Sequence, residues 1–249
     1  MHRRKDIGLK DAGCRAVVGL LILSIIGAAG CAPQRGAVAK DSFPSLVLPR
    51  EREIVRPIPE PIEPVRPSPF MPTVYDRREW HARPTRSNHE AMGRITRITI
   101  HHAGMGVEEE MPIEDVKARL QTIQRSHQDH RRWADIGYHF IIDCSGNIWE
   151  GRPLAYQGAH AGNNSANRGN VGICVMGNYD LQRPTTRQMS AIRWLVADLM
   201  KRHSVPISRV YTHREISSLH GLGYTDCPGQ HLQREVDAMR THIAEGGSP

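Results

Sequence analysis

The chain has 249 residues, 39% of them hydrophobic and 24% charged, and a net charge of +7. That length holds one or two domains. The charge is spread thinly, +3 over residues 1–31, +2 over 32–84 and +2 over 85–249, where nineteen basic side chains meet seventeen acidic ones; no basic domain remains to bind phosphates by counterion release, so nucleic acid is excluded as a partner.

In chain order, Arg3, Arg4, Lys5, Lys10 and Arg15 precede an apolar run, Ala16 to Ala29, that ends in small residues before Cys31. Basic segment, apolar segment and small-residue site make a secretory signal. The run holds Gly19 and Gly27 and is shorter than the ~20 apolar residues a membrane span needs. The phrase GAAGC resembles a bacterial lipoprotein box, which implies a signal peptide at 1–30 and a lipidated Cys31. Acyl chains on Cys31 would hold the protein on a membrane, at about 0.8 kcal/mol per buried methylene. Ala32 after the cysteine resembles lipoproteins sorted to the outer membrane of a Gram-negative cell, facing the periplasm. Residues 31–73 then read as a Pro-rich disordered linker, with ten of the seventeen prolines between Ala32 and Pro72. Extended polyproline at ~3.1 Å per residue gives it a reach on the order of 100 Å.

From Val74 onward strand and helix signals alternate. Short apolar runs predict strands at 95–100, 137–142, 147–150, 171–176 and 209–212. Ile113, Val116, Leu120 and Ile123 recur at helical spacing behind Pro112, a residue suited to a first turn. A capping box, Thr185-x-x-Gln188, opens a second helix bearing Met189, Ile192, Leu195, Val196 and Leu199. Val236, Met239 and Ile243 mark a third. The alternation predicts one α/β domain on a central sheet over residues 74–249, enough chain for a single core. Export permits a disulfide between Cys144 and Cys174, though Cys174, inside VGICVM, reads more simply as a small buried hydrophobe.

The strand at 95–100 runs into His101 and His102, and the strand at 209–212 runs into His213. Cys227 lies in a tight turn with Pro228 and Gly229. Two imidazoles and a thiolate form a borderline-soft donor set that suits zinc, and three protein ligands leave the fourth tetrahedral position to water. His220, between His213 and Cys227, is a rival ligand, and Glu215 is a candidate general base. The chain contains no HExxH motif, which removes the support for a general metallopeptidase.

Five phrases stand together in order: VYDRREWHARP (74–84), DIGYHFIID (135–143) with GNIWEGR behind it, GAHAGNN (158–164), VGICVMGNY (171–179) and YTHREISSLHGLGYTDCPG (211–229). Over nearly everything after the linker, the chain resembles the zinc amidases of the peptidoglycan recognition protein and T7 lysozyme superfamily, the N-acetylmuramoyl-L-alanine amidase type 2 domain. The resemblance implies a central mixed β-sheet flanked by helices. It implies one zinc ion held by His101, His213 and Cys227, with His102 left to packing behind the site. It gives Tyr138 and Thr225 catalytic roles, as hydrogen-bonding partners of water or the tetrahedral intermediate, and sets His160 and Asn167 along the substrate groove. The implied reaction is cleavage of the amide between the lactyl group of N-acetylmuramic acid and L-alanine, with peptidoglycan as partner. The alternative on the same fold is a non-catalytic peptidoglycan-binding module. Loss of the cysteine marks the binding-only members, and Cys227 is present. The chain departs from the shorter members in setting His213 and Cys227 fourteen positions apart, and residues Leu219 to Tyr224 are expected to form a loop beside the site.

Overall fold

The computed structural model describes residues 71–106 and 110–247, all within one compact unit, Pro61–Pro249. The expected signal peptide, Cys31 and nearly all of the linker lie outside the described residues. Six strands, β1 (Val74–Tyr75), β2 (Arg97–His102), β3 (Phe140–Ile142), β4 (Ile148–Glu150), β5 (Asn170–Val175) and β6 (Val210–Thr212), form one sheet in the order β1-β4-β3-β5-β2-β6. The helices are α1 (Ile113–Arg125), α2 (Asn164–Asn167), α3 (Thr186–His203), α4 (His213–Leu219) and α5 (Gln230–Ala244). This is the mixed sheet flanked by helices that the resemblance implied.

The sheet is mixed because only one connection is short enough for a hairpin. β3 and β4 pair antiparallel, and the other pairs are parallel, which demands long crossovers. The hairpin turn is built by Asp143, whose Oδ1 accepts from the backbone of Ser145 and Asn147 at 2.9 Å each, while Oδ2 accepts from Trp149 Nε1 at 2.9 Å.

Alternation along the strands divides the molecule into two faces. Ile98, Ile100, Val171, Ile173 and Val175 pack with Ile192, Leu195 and Val196 of α3 and Leu232 and Val236 of α5. The opposite face carries Ile141, Trp149 and Cys174 against Val116 and Leu120 of α1. Thr99 and His101 of β2 alternate with Ile98 and Ile100, and both are buried, so His101 belongs to the side away from α3 and α5. Burial of a large apolar side chain in these layers stabilises the fold by about 1.5–3 kcal/mol.

Several elements differ from expectation. The strand predicted at 95–100 runs instead from Arg97 to His102, so His101 sits inside the strand rather than after it. The strand predicted at 137–142 begins only at Phe140, because the chain at Gly137 is pressed against the 158–160 segment: a Cβ there would lie 2.5 Å from the Ala159 carbonyl oxygen. Past α1 the chain makes one π-helical turn, Ser126–His130, which brings His127 Nδ1 to accept the Gly137 N–H at 3.0 Å. β1, α2 and α4 were not foreseen. α4 carries its own start signal, a capping box between Thr212 and Glu215. Cys144 and Cys174 are both buried free thiols, in keeping with the simpler reading of Cys174.

Candidate metal centre

His101, His213 and Cys227 come from three different elements and converge, their ligand atoms all lying within 4.8 Å of one another. β2 supplies His101, 1% exposed. β6 ends at Thr212, which caps α4, and His213 is that helix's first residue. Cys227 sits on the turn leading to α5. Its Sγ lies 3.8 Å from His101 Nδ1 and accepts the backbone N–H of His102 at 3.4 Å. The rings of His101 and His213 are 4.6 Å apart.

The donors suit a cation. Zinc–nitrogen and zinc–sulfur bonds in a tetrahedron would place the ligand atoms about 3.4–3.6 Å apart; His101 Nδ1 and Cys227 Sγ stand at 3.8 Å, and all three ligand atoms lie within 4.8 Å. Burial holds His101 well below the ordinary imidazole value, with His160 and His213 adding to the effect, and also lowers His213. Burial pushes the Cys227 thiol up to about 12, against the opposing pull of the His102 N–H. Two neutral imidazoles and a thiol reluctant to ionise alone share a pocket where a divalent ion would offset the cost of the thiolate. The residues therefore fit zinc.

The turn bearing Cys227 is held from several sides. Thr225 Oγ1 accepts the Cys227 N–H at 3.2 Å, leaving its own hydroxyl proton free to donate. Arg214 gives its backbone N–H to the Cys227 carbonyl at 3.0 Å, and its guanidinium donates to the carbonyls of Thr225 at 3.3 Å and Asp226 at 3.0 Å. Sequence reasoning passed over Arg214; its one signal was its place directly after a ligand histidine.

Tyr138 stands beside the three donors, its ring 5.3 Å from that of His101. Burial, with Cys174 and Cys227 nearby, raises its phenol well above the ordinary value, so it keeps its proton. A cleft of about 520 Å³ opens over this corner, lined by Trp133, Tyr138, His160, Asn163, Asn167 and His213 among others.

His160 and Asn167 line the cleft, yet their polar atoms are spent inside the protein. Asn167 Oδ1 accepts from the backbone of His160 and Ala161 at 2.9 Å each, and its amide nitrogen donates to Asn163 at 2.8 Å. His160 Nδ1 lies 2.9 Å from His101 Nε2, and its Nε2 lies 3.1 Å from the Asn170 carbonyl. The two residues thus brace the wall of the cleft and the back of His101.

Three other candidates fall elsewhere. His102 turns its ring the other way, Nδ1 accepting the Tyr179 N–H at 3.4 Å. His220 is bonded to Ser165 at 3.2 Å and Arg97 at 3.3 Å and lies outside the ligand group. Glu215 is no general base: it caps α4 and pairs with Arg240 at 2.7 and 2.8 Å. The segment 219–224 folds onto the far wall, where Leu222 packs against Gly162, and leaves Tyr224 79% exposed.

The chain is similar to several known proteins over the described domain. The family profile described as N-acetylmuramoyl-L-alanine amidase matches residues 91–230. Peptidoglycan-recognition protein SC2 of Drosophila melanogaster is 33% identical over 169 residues, 66% of this chain and 84% of that protein. The N-acetylmuramoyl-L-alanine amidase of Homo sapiens is 30% identical over 174 residues, 68% of this chain and 28% of that protein. A variant of Drosophila PGRP-LB solved in complex with tracheal cytotoxin superimposes with a TM-score of 0.57 at 30% identity, covering 66% of this chain and 92% of that one.

Proposed function

This chain belongs to the N-acetylmuramoyl-L-alanine amidase family, and on that premise we propose that it hydrolyses the amide between the lactyl group of N-acetylmuramic acid and L-alanine of the peptidoglycan stem peptide. The observation that carries the reading is the convergence of His101, His213 and Cys227 beside the cleft. These three residues would hold zinc. When bound, zinc supplies Lewis acidity toward water and toward the amide carbonyl.

The protein's own groups do the rest. The Tyr138 phenol, still protonated at neutral pH, would donate a hydrogen bond to the oxyanion as water adds to the carbonyl, a role supported by its ring lying beside His101. The Thr225 hydroxyl stands on the Cys227 turn as a second donor. The carbon–nitrogen bond then breaks, the lactyl group leaves as a carboxylate, and the proton goes to the departing amine of L-alanine. The cleft walls, braced by Asn167, hold the glycopeptide against this corner.

The sequence of residues 16–32 supports an outer-membrane anchor at Cys31, and the prolines up to Pro72 support a spacer that lets the domain reach the wall. A module that binds peptidoglycan without cutting it is the second reading, supported by relatives named for recognition; the presence of Cys227 favours the enzyme. The deciding experiment digests purified peptidoglycan and identifies the products by mass spectrometry. Peptides with an L-alanine amino terminus, lost on zinc removal and regained on zinc addition, are the expected result. Wall binding with no release at any pH or zinc level establishes the second reading.

A further inference from the structure

We propose that His160 is a positioning residue that fixes which nitrogen of His101 faces the metal. Nε2 of His160 meets the carbonyl oxygen of Asn170 at 3.1 Å. That oxygen can only accept, so Nε2 carries the ring proton of a neutral His160. Its Nδ1 is then a lone pair, and it lies 2.9 Å from Nε2 of His101. His101 therefore carries its proton on Nε2 and presents an unprotonated Nδ1, the atom 3.8 Å from Cys227 Sγ. The reverse tautomer of His160 would set two lone pairs against each other at the Asn170 carbonyl.

The seat of His160 is built for one ring position. A Cβ on Gly172 or on Gly158 would lie 2.5 Å from His160 Cδ2. These glycines come from separate segments, β5 and the turn before His160, and both leave room for the imidazole. The backbone N–H of His160 is pinned by Asn167 at 2.9 Å, and the ring is 6% exposed at residue level. Partners that orient metal-binding imidazoles in this way change metal affinity by about 10–100-fold. His160 thus acts on the metal through His101.

The inference rests on the metal centre proposed above, and the test separates the two. In the full-length protein, purified in detergent and stripped of metal, long-range nitrogen–proton NMR should show both His101 and His160 as Nε2–H tautomers. Zinc affinity, measured by competition with a chromophoric chelator, should fall about 10–100-fold in His160→Ala. His160→Gln, whose amide offers one acceptor and one donor, should recover most of that loss, and a purely space-filling role would not predict the recovery. His101 protonated on Nδ1, or wild-type zinc affinity in His160→Ala, overturns the proposal. Wild-type protein that binds no zinc would sink the metal centre instead, and the tautomer spectrum would still decide the pairing.

Discussion

Arg214 and Cys227 are joined backbone to backbone, the Arg214 N–H donating to the Cys227 carbonyl at 3.0 Å. The first turn of α4 and the thiol-bearing turn are therefore one assembly, although fourteen positions separate His213 from Cys227. The Arg214 guanidinium reinforces it through the carbonyls of Thr225 and Asp226. Arg214→Ala keeps the backbone bond and deletes the other two. Zinc affinity should fall by roughly tenfold, the lower end for outer partners of a metal site. Chelator competition checks this, and an unchanged affinity would show that the backbone bond alone holds the turn.

Cys227→Ser replaces a thiolate donor with a hydroxyl that seldom ionises. Zinc occupancy should drop and peptide release should cease, while sedimentation with insoluble peptidoglycan persists because the cleft is lined by other residues. Loss of wall binding in parallel with zinc would place the thiol turn in ground-state recognition.

Tyr138→Phe keeps the ring that packs beside His101 and removes only the hydroxyl. Zinc content should match the wild type. The rate constant should fall roughly a hundredfold or more, about 3 kcal/mol, the scale of one oxyanion donor. A normal rate would remove Tyr138 from the reaction.

Acid should weaken the fold even without metal. Burial depresses His139 and His127 to about 4. Each uses an unprotonated nitrogen as acceptor, His139 from Gly172 at 3.0 Å and His127 from Gly137 at 3.0 Å. Below pH ~6.5 the unfolded chain takes up protons that the native state refuses until about pH 4. Stability is therefore complete above pH ~6.5, declines across that window and levels off beneath it. The loss is on the order of 3 kcal/mol for His139 by pH 4. Urea unfolding of zinc-stripped protein from pH 8 to pH 4 measures it, and a flat profile would contradict the assignment.

The proposed anchor at Cys31 has its own test. Cys31→Ala should move the protein to the soluble periplasmic fraction or leave an unprocessed precursor, read by fractionation and mass. A variant that matures and fractionates like the wild type would remove the lipid.

The donor set was legible in the sequence because chemistry limits which residues hold zinc, and the ordered phrases around His101, His213 and Cys227 picked two of fourteen histidines and one of five cysteines. The long helices were legible too, since α1, α3 and α5 each repeat an apolar stripe. β1, only two residues long, is too short for any periodicity to register. α4 was hidden behind its own cap: Glu215 looked like a spare carboxylate, and only its place three residues after Thr212 announced a helix. The bond between His160 and His101 spans 59 positions. It depends on two glycines vacating space from separate segments, which spacing along a chain cannot express.

The sheet order also determines how a pull would travel through the domain. The chain enters at β1, an edge strand of two residues paired only with β4. β2, which bears His101, lies four strands further across, roughly 19 Å at ordinary strand spacing. Tension applied from the N-terminal side therefore loads the Val74–Ile148 and Tyr75–Trp149 pairings first, together with the stacking of Tyr75 on Trp149 at 4.2 Å. Those contacts, and three further strands, lie between the point of entry and the strand that carries His101.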